Sequence, residues 1–313
     1  IPGLKNSAFE FKTTNDALNI RNALCEIFSN KAKREKIDIL IGGAGFTGSE
    51  VAGEIANYIK YLCKSSERPS GSYSLKIVEA SPCILGGAGN WARKKSQKRL
   101  KKLGAELILN AEIKKIEPTQ NKNSENDEHL SLIPENSKGK MILKNGQIFP
   151  FDILIWTAGV EASEISKLFP QETLQKKYCL KTDKFLRVSP YENIFAAGDI
   201  AYYINEKTNN PLPMTAQIAI SQGEYTAYVI SEKINKTPDK NLKTYKPLKS
   251  RFIIPLGGKY AVADLGLIKF SGFLAWSLKH LITLSYFIGI LPFSDAVKIW
   301  LNGMKIYIKN DRI

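Results

Sequence analysis

Glycine occupies the first, third and sixth positions of the hexapeptide at residues 43–48, which reads GAGFTG. A GxGxxG pattern alone is weak, but this one follows a predicted buried strand at residues 37–41 and opens a predicted helix at about residues 49–62. In that setting Gly43 makes the tight turn, Gly45 lets a pyrophosphate approach the backbone, and Gly48 lets helix and strand pack closely. The helix N-terminus also offers free N–H groups and the positive end of its dipole. The pattern therefore predicts a dinucleotide-binding site.

An acidic residue, Glu79, ends the next predicted strand at residues 75–79. A carboxylate at this place can accept hydrogen bonds from the ribose hydroxyls of NAD(H), and it would repel the 2′-phosphate of NADP(H). Its distance along the chain from the glycines is somewhat longer than usual, which the polar loop at residues 60–74 would explain. The residues thus predict NADH as a ligand. The alternative interpretation is a structural glycine turn followed by a surface glutamate.

The composition argues against several other kinds of site. The 313 residues carry a formal charge of +15, which suits an anionic partner such as nucleic acid, anionic lipid or a phosphate-bearing ligand. The four cysteines form no CxxC pair and there are two histidines, so we predict no metal site and no histidine-based triad. No nucleic-acid motif accompanies the dense basic run on a predicted helix, so we interpret the run as a solvated helix face and predict no nucleic-acid partner. The run consists of Arg93, Lys94, Lys95, Lys98, Arg99, Lys101 and Lys102.

The elements that must position these residues alternate between strands and helices, which is typical of an α/β fold. The Asn145-Gly146 pair indicates a hairpin turn, and polar residues 119–139, which lack an apolar period, are predicted to form a surface insertion. The predicted elements, in chain order, are a helix at 14–33, a strand at 37–41, a helix at about 49–62, a strand at 75–79, a helix at 90–103, strands at 106–109, 112–116 and 151–156, strand-like sequence at 182–201, a helix at 216–230 and short strands at 251–270.

Taken together, the motifs resemble those of the type II NADH dehydrogenases, the single-chain, FAD-dependent NADH:quinone oxidoreductases. The resemblance runs over nearly the whole chain, and the order of the motifs is more specific than any one of them. The matching segments are GAGFTGSEVAGE at 43–54, WTAGV at 156–160, NIFAAGD at 193–199, AQIAISQG at 216–223, AVADLG at 261–266 and FSGFLAW at 270–276.

This resemblance implies a fold and an activity. The fold is α/β, with two Rossmann-like dinucleotide-binding domains of the FAD/NAD(P)-linked reductase type and a C-terminal amphipathic helical segment that binds a membrane. The activity is transfer of a hydride from NADH to FAD and then of two electrons to a membrane quinone, without proton pumping. The implied domains are a remnant of the FAD-binding domain at 1–33, the NAD-binding domain at 34–156, the second part of the FAD-binding domain at 157–245 and the membrane-associating segment at 246–313.

Two features depart from the family pattern. The first GxGxxG of the family, which holds the ADP moiety of FAD, is absent and would lie before Ile1, so we expect that an N-terminal portion precedes this chain. The family usually has Pro-Pro-Thr or a similar sequence before its AQ motif, whereas this chain has Pro213-Met214-Thr215, which leaves the shape of the quinone pocket open.

Residue roles also follow from the resemblance. Glu50 is expected either to donate a proton during quinone reduction or to position the nicotinamide, while Gln217 and Gln222 are expected to contact quinone. These three are the predicted catalytic residues. The predicted cofactor-binding residues are Gly43, Gly45, Phe46, Thr47, Gly48, Glu50 and Glu79 for NADH, and Ala158, Gly159, Gly198, Asp199, Ala216 and Gln217 for the crossover and the flavin.

The C-terminal segment at 246–313 has a net charge of +7, from ten Lys or Arg and three Asp. Residues 273–291 are almost all apolar and are long enough to suggest a transmembrane helix, but Lys279 and His280 lie near the middle, where a lysine costs roughly 2.5–3.5 kcal/mol. A second predicted helix is amphipathic, so we predict helices lying in the interface of an anionic membrane. Its apolar face is Val297, Trp300, Leu301, Met304 and Ile308, and its basic residues are Lys298, Lys305 and Lys309.

The predicted location is peripheral, on the cytoplasmic face of the cell (inner) membrane. Buried core or homodimer-interface helices and a single transmembrane span are the alternatives for the C-terminal segment. For the function, the nearest alternative is a sulfide:quinone oxidoreductase. Such an enzyme needs redox cysteines near the flavin, and Cys179 is the only cysteine of this chain whose position could suit that role. A third alternative is a fragment that binds NADH and has no activity of its own.

Overall fold

The computed structural model describes residues 1–30, 35–69, 71–119, 138–248 and 251–310, without the side chains of residues 30 and 308–310. The predicted surface insertion lies, apart from its ends, outside the described residues, as do the end of the first predicted helix and the side chains of Ile308 and Lys309. The chain forms two compact units. One comprises Ile1–Ala158 and Arg251–Ile313, and the other comprises Gly159–Ser250.

Strands and helices alternate over residues 9–108, and four further strands follow between residues 113 and 156. The helices are α1 (Thr14–Asn30), α2 (Phe46–Ser65) and α3 (Asn90–Leu103). The strands are β1 (Phe9–Glu10), β2 (Ile37–Gly42), β3 (Tyr73–Val78), β4 (Ala105–Ile108), β5 (Ile113–Pro118), β6 (Gly139–Leu143), β7 (Ile148–Phe151) and β8 (Ile153–Trp156).

Five parallel strands form the main sheet in the order β1-β8-β2-β3-β4. At its centre, β2 pairs with β3 from Ile37↔Tyr73 to Gly42↔Val78. Ile37, Ile39 and Ile41 are fully buried, as expected of a parallel strand covered on both faces. The strand–helix alternation and the parallel sheet confirm the α/β fold. Strands β5, β6 and β7 form a separate antiparallel sheet, and the predicted turn at Asn145-Gly146 joins β6 to β7.

The N-terminal residues belong to this sheet. β1 lies at its edge, where Phe9 pairs with Ile155 and Glu10 with Trp156. Helix α1 packs into the same core through its apolar face, including Leu24 and Phe28. The first compact unit therefore groups residues 1–30 with the predicted NAD-binding domain, and the second unit begins at Gly159. The functional assignment of all four predicted domains remains a prediction.

The second unit has little regular strand. The predicted strand-like sequence at 182–201 is made mostly of turns, with isolated bridges between Thr182 and Val188 and between Arg187 and Phe195. The helix predicted at 216–230 is present and extends to Ile234. The unit's strands and helix are β9 (Leu180–Lys181), β10 (Ala201–Tyr202), β11 (Ile204–Asn205), β12 (Asn210–Pro211) and α4 (Ala216–Ile234).

The last part of the chain returns to the first unit as a small antiparallel sheet followed by two helices. The short strands predicted at 251–270 are present. One face of the sheet packs on α2 and α3 through Ile254, Leu256 and Val262, and the other packs on Ala275 and Trp276 of the first C-terminal helix. The elements are β13 (Phe252–Pro255), β14 (Ala261–Asp264), β15 (Lys269–Gly272), α5 (Phe273–Ile290) and α6 (Phe293–Asn310).

The basic run on α3 is only partly a solvated face. Its five lysines are exposed, but Arg99 is half-buried and donates hydrogen bonds to the carbonyl groups of Leu256 and Gly257. Arg93 likewise donates to the carbonyl groups of Leu85 and Gly86. The interpretation is therefore wrong for both arginines, because each guanidinium binds loop backbone that lies against the helix.

Helix α5 is long and apolar enough to cross a membrane, and it is the one such helix among the described residues. Little of it is buried. Helix α6 packs beside it, and the Trp300 indole N–H donates to the carbonyl of His280 at 2.8 Å. Lys279 and His280 are half-buried. The two helices leave a broad apolar surface, made of Phe273, Leu274, Leu281, Ile282, Tyr286, Ile288, Ile290, Phe293, Ile299, Leu301, Ile306 and Tyr307.

Candidate functional site

The turn between β2 and α2 depends on two of its glycines for its shape. Gly43 has a φ of +98°, and a Cβ atom there would lie 2.7 Å from the Cβ of Ala158. A Cβ on Gly48 would lie 2.0 Å from the carbonyl oxygen of Gly43, far inside van der Waals contact. Glycine is thus required at both positions, since a left-handed φ and a close backbone approach both disfavour a side chain.

Gly45 is different, because nothing lies within 4 Å of the place where its Cβ would be. It is exposed, it stands at the N-cap of α2, and it has no side chain to cap that helix. The first N–H groups of a helix have no partner within the helix. The turn therefore leaves open space beside uncapped donors at the positive end of a helix dipole, which is what a pyrophosphate needs. The residues present fit a dinucleotide.

The carboxylate of Glu79 lies against the glycine turn. One of its oxygens accepts the N–H of Ala44 at 2.7 Å, and the other accepts the N–H of Ser81 at 2.9 Å. Each carboxylate oxygen can accept a further hydrogen bond, so the two bonds do not exhaust the group. The structure thus brings the predicted ribose acceptor and the predicted phosphate turn together.

Of the remaining predicted residues near the turn, one packs in the core and the others are exposed. The ring of Phe46 packs edge-on against Phe252 with centroids 5.3 Å apart, so it belongs largely to the core. Thr47 is exposed in the first turn of α2. Contact of either residue with NADH remains a prediction. Gly159, which follows the crossover, is exposed and has a φ of +91°.

Sequence reasoning missed two supports of the turn. The hydroxyl of Thr157 lies 2.9 Å from the carbonyl oxygen of Gly42 and 3.1 Å from that of Gly43 and donates to them. The N–H of Leu85 donates to the carbonyl of Ala44 at 2.8 Å. Thr157 is part of the crossover motif, and that motif could have predicted its place beside the turn. For Leu85, the only hint in the sequence is the glycine-rich segment that follows it.

Glu50 is half-buried on α2, in the second turn after Gly45. Burial raises the pKa of its carboxyl to about 7, Lys279 on α5 opposes the rise, and Glu54 adds to it. Burial also raises the pKa of Tyr307 on α6, and the carboxylates of Glu54 and Glu50 raise it further. Glu50 can therefore hold and release a proton near neutral pH, which is the property a general acid or base needs.

In the second unit, Gly198 and Asp199 are the first two residues of a single 3-10 turn, Gly198–Ile200. Gly198 has a φ of +76°, and a Cβ on it would lie 3.2 Å from the Cβ of Ala219 on α4. The side chain of Asp199 is exposed, and its carbonyl accepts the thiol of Cys179 at 3.6 Å. The predicted flavin residues are therefore in a turn that packs directly on α4.

The two glutamines of α4 have different surroundings. Thr215 caps the helix by accepting the N–H of Ile218 at 3.4 Å, and Ala216 and Gln217 are exposed in the first turn. Gln222 is 1% exposed, and its side-chain oxygen accepts the N–H of Gly198 at 2.7 Å. Contact of Gln217 or Gln222 with quinone remains a prediction, and the structure shows Gln222 bound to the Gly198 turn.

Residues 1–223 match the family model described as pyridine nucleotide-disulphide oxidoreductase. The chain is 28% identical over 245 residues to a type II NADH:quinone oxidoreductase of Staphylococcus saprophyticus, covering 76% of this chain and 56% of that protein. It spans about half the length of the curated relatives it matches.

Two solved structures have a similar fold. NDH2 from Plasmodium falciparum in complex with NADH superposes with a TM-score of 0.77 at 17% identity, covering 97% of this chain and 74% of that one. The sulfide:quinone oxidoreductase from Aquifex aeolicus gives a TM-score of 0.68 at 17% identity, covering 92% of this chain and 65% of that one.

Proposed function

The chain belongs to the pyridine nucleotide-disulphide oxidoreductase family, and we propose that it acts as an FAD-dependent NADH:quinone oxidoreductase at a membrane surface. The observation that carries the proposal is the glycine turn at residues 43–48 with the Glu79 carboxylate against it. Its curated relatives are named type II NADH:quinone oxidoreductases, and a protein of the same fold has been solved with NADH.

For NADH, the open backbone at Gly45 and the start of α2 would receive the pyrophosphate. Glu79 would accept hydrogen bonds from the ribose hydroxyls, and its charge would disfavour the 2′-phosphate of NADPH. The half-buried carboxyl of Glu50 would lie towards the nicotinamide or the quinone. These residues bind and orient the dinucleotide, and none of them needs to react with it.

For FAD, the exposed side chain of Asp199 in the Gly198–Asp199 turn offers an acceptor for sugar hydroxyls. Ala216 and Gln217 lie exposed at the N-terminus of α4, where N–H groups and the helix dipole favour electron-rich atoms. Held by these residues, FAD would supply the two-electron chemistry that links NADH oxidation to quinone reduction.

Quinone reduction also consumes two protons. Glu50 has a pKa of about 7 and faces the positive charge of Lys279, so it can supply a proton near neutral pH. Gln217 is exposed and neutral, so it can donate a hydrogen bond to a quinone carbonyl without adding charge. Neither residue moves charge across a membrane, which is in keeping with an enzyme that does not pump protons.

The exposed apolar surface of α5 and α6 supports membrane association, because monomeric soluble proteins seldom expose so many large apolar side chains on two adjacent helices. The polar and basic residues in the middle of α5 favour helices that lie in the interface over a single span. We place this surface on anionic lipid at the cytoplasmic face of the inner membrane, with a second copy of the chain as the competing occupant.

Sulfide:quinone oxidoreduction has less support. It needs a reactive thiolate, and burial raises the pKa of the Cys179 thiol, which donates to the Asp199 carbonyl. The glycine turn with Glu79 has no role in that reaction.

The experiment is a titration of the purified chain with NADH and NADPH, followed by nicotinamide fluorescence, together with NADH oxidation by a soluble quinone after addition of FAD. We expect saturable binding with at least about a tenfold preference for NADH. Because the chain spans about half the length of its curated relatives, oxidation is also measured with the N-terminal segment of one of those relatives attached, and absorbance near 450 nm reports bound flavin. Absence of NADH binding, or NADH binding without quinone reduction in the extended chain, would overturn the proposal.

A further inference from the structure

We propose that Gln222 is a positioning residue that holds the Gly198–Asp199 turn in the shape that binds flavin. The inference rests on the proposed function for the identity of the ligand. It assigns to Gln222 a role different from the contact with quinone that the sequence suggests.

The evidence is a buried polar contact between a helix and a turn. The side chain of Gln222 is 1% exposed, and its oxygen lies 2.7 Å from the N–H of Gly198. Ala219, about one helical turn earlier, lies on the same face of α4. A Cβ atom on Gly198 would lie 3.2 Å from the Cβ of Ala219, so the turn packs closely on this face. One face of a long capped helix thus fixes both the place and the hydrogen bond of the turn.

The conformation of the turn explains why an outside acceptor is needed. Gly198 has a φ of +76°, in the left-handed region. Gly198 is half-buried and begins the single 3-10 turn Gly198–Ile200, so its N–H has no partner within that turn and must find one elsewhere. The Gln222 amide provides that partner without placing a charge beside a polyanionic cofactor, and a buried carboxylate would be costly at such a place. If the acceptor is lost, the turn is free to relax, and Asp199 moves with it.

Gln217 supplies the contrast on the same helix. It precedes Gln222 by five residues and is therefore rotated by about 140° around the helix axis. It is exposed, whereas Gln222 is buried. The two glutamines consequently have different roles. Gln217 is available to a bound molecule, whereas the side chain of Gln222 is hydrogen-bonded to the Gly198 turn.

The test compares Gln222→Met, which keeps the volume and removes the acceptor, with Gln222→Glu, which keeps an acceptor oxygen. Each is made in the chain extended with the N-terminal segment, and FAD is titrated into the apoprotein by flavin fluorescence. We expect Gln222→Met to weaken FAD binding about tenfold, whereas Gln222→Glu, titrated at about pH 5 where a buried carboxyl is protonated and neutral, should recover binding to within about threefold. The quinone KM of the flavin-loaded Gln222→Met protein should stay unchanged. Glu224→Met, an exposed change on the same helix, should leave the FAD dissociation constant unchanged.

The outcomes separate this inference from the proposed function. If Gln222→Met binds FAD as tightly as the parent and raises the quinone KM, Gln222 contacts quinone and the inference is wrong. If the parent binds no FAD, the proposed function fails, and amide hydrogen exchange decides the positioning role. Gly198 should then exchange at least about tenfold faster in Gln222→Met than in the parent, and equal rates would overturn the inference.

Discussion

The carboxylate of Glu79 accepts the backbone N–H of Ala44 at 2.7 Å, across 35 residues of sequence. This bond joins the end of β3 to the glycine turn after β2. Since β2 and β3 are hydrogen-bonded as far as Gly42↔Val78, the carboxylate and the turn are held by one sheet edge. The acceptor for the ribose and the donors for the phosphates are therefore positioned together before any ligand arrives.

Replacing Glu79 with Gln tests the role of that carboxylate in choosing NADH. The change removes the charge and leaves one of the two backbone N–H groups facing an amide donor. We expect the ratio of NADH to NADPH affinity to fall about tenfold and stability to fall by about 1 kcal/mol. Fluorescence titration and thermal unfolding measure the two effects. Glu106→Gln, which removes the exposed partner of Lys76, should change neither by much. An unchanged NADH to NADPH ratio would show that the ribose assignment is wrong.

Two glycines of the turn should respond in opposite ways to alanine. Gly48→Ala places a methyl group 2.0 Å from the Gly43 carbonyl oxygen, so we expect a loss of stability of about 3 kcal/mol. Gly45→Ala meets open space, so stability should change by less than about 1 kcal/mol. Its methyl group would occupy the space that the pyrophosphate needs, and NADH affinity should fall tenfold or more. Calorimetry and NADH titration distinguish the two, and normal NADH affinity in Gly45→Ala would argue against a phosphate at this turn.

Much of this turn could be predicted from the sequence because its parts are close together along the chain. The strand, the three glycines, the helix and Glu79 follow one another, and parallel pairing of β2 with β3 brings their ends to one edge. Arg99 shows where such reasoning stops. It lies in a basic run, and its partner Leu256 is 157 residues away, so no local pattern indicates that its guanidinium binds a loop.

The second unit was harder to predict for a related reason. The sequence shows two glutamines in one motif, but their different burial depends on which face of α4 packs on the Gly198 turn. Residues 182–201 have the apolar content of strands, yet they form mostly turns and isolated bridges. β1 was missed because two residues are too short to show alternation, and its place at the edge of the sheet depends on β8.

Glu50 should make the stability of the first unit depend on pH. The pKa of its carboxyl in the folded state is about 7, above the usual 4.5. Between these values the folded state binds more protons than the unfolded state, so this contribution is present at low pH and is lost as pH rises towards 7. The free energy of unfolding of Glu50→Gln should therefore exceed that of the parent by at most about 3 kcal/mol at pH 8 and differ little from it at pH 4.

Urea unfolding at a series of pH values measures this effect. Lys279→Met removes the charge that opposes the rise in the Glu50 pKa, so the loss of stability should extend to higher pH. Glu192→Gln, an exposed change in the other unit, serves as the matched control and should give a curve parallel to that of the parent. If Glu50→Gln also gives a parallel curve, the Glu50 carboxyl has an ordinary pKa, and the argument for Glu50 as the proton donor fails.

The apolar surface of α5 and α6 should decide membrane binding. Leu274 and Leu281 are 72% and 54% exposed, and burial of each in lipid contributes about 1.5 kcal/mol or more. The double change Leu274→Ser and Leu281→Ser should thus weaken binding to vesicles containing phosphatidylglycerol about 100-fold, as measured by co-sedimentation. Leu168→Ser, at a leucine 82% exposed in the second unit, controls for the loss of surface leucine and should bind normally. Sedimentation velocity is run on the same proteins, because a double variant that still binds vesicles but changes from dimer to monomer would assign the surface to a second copy of the chain.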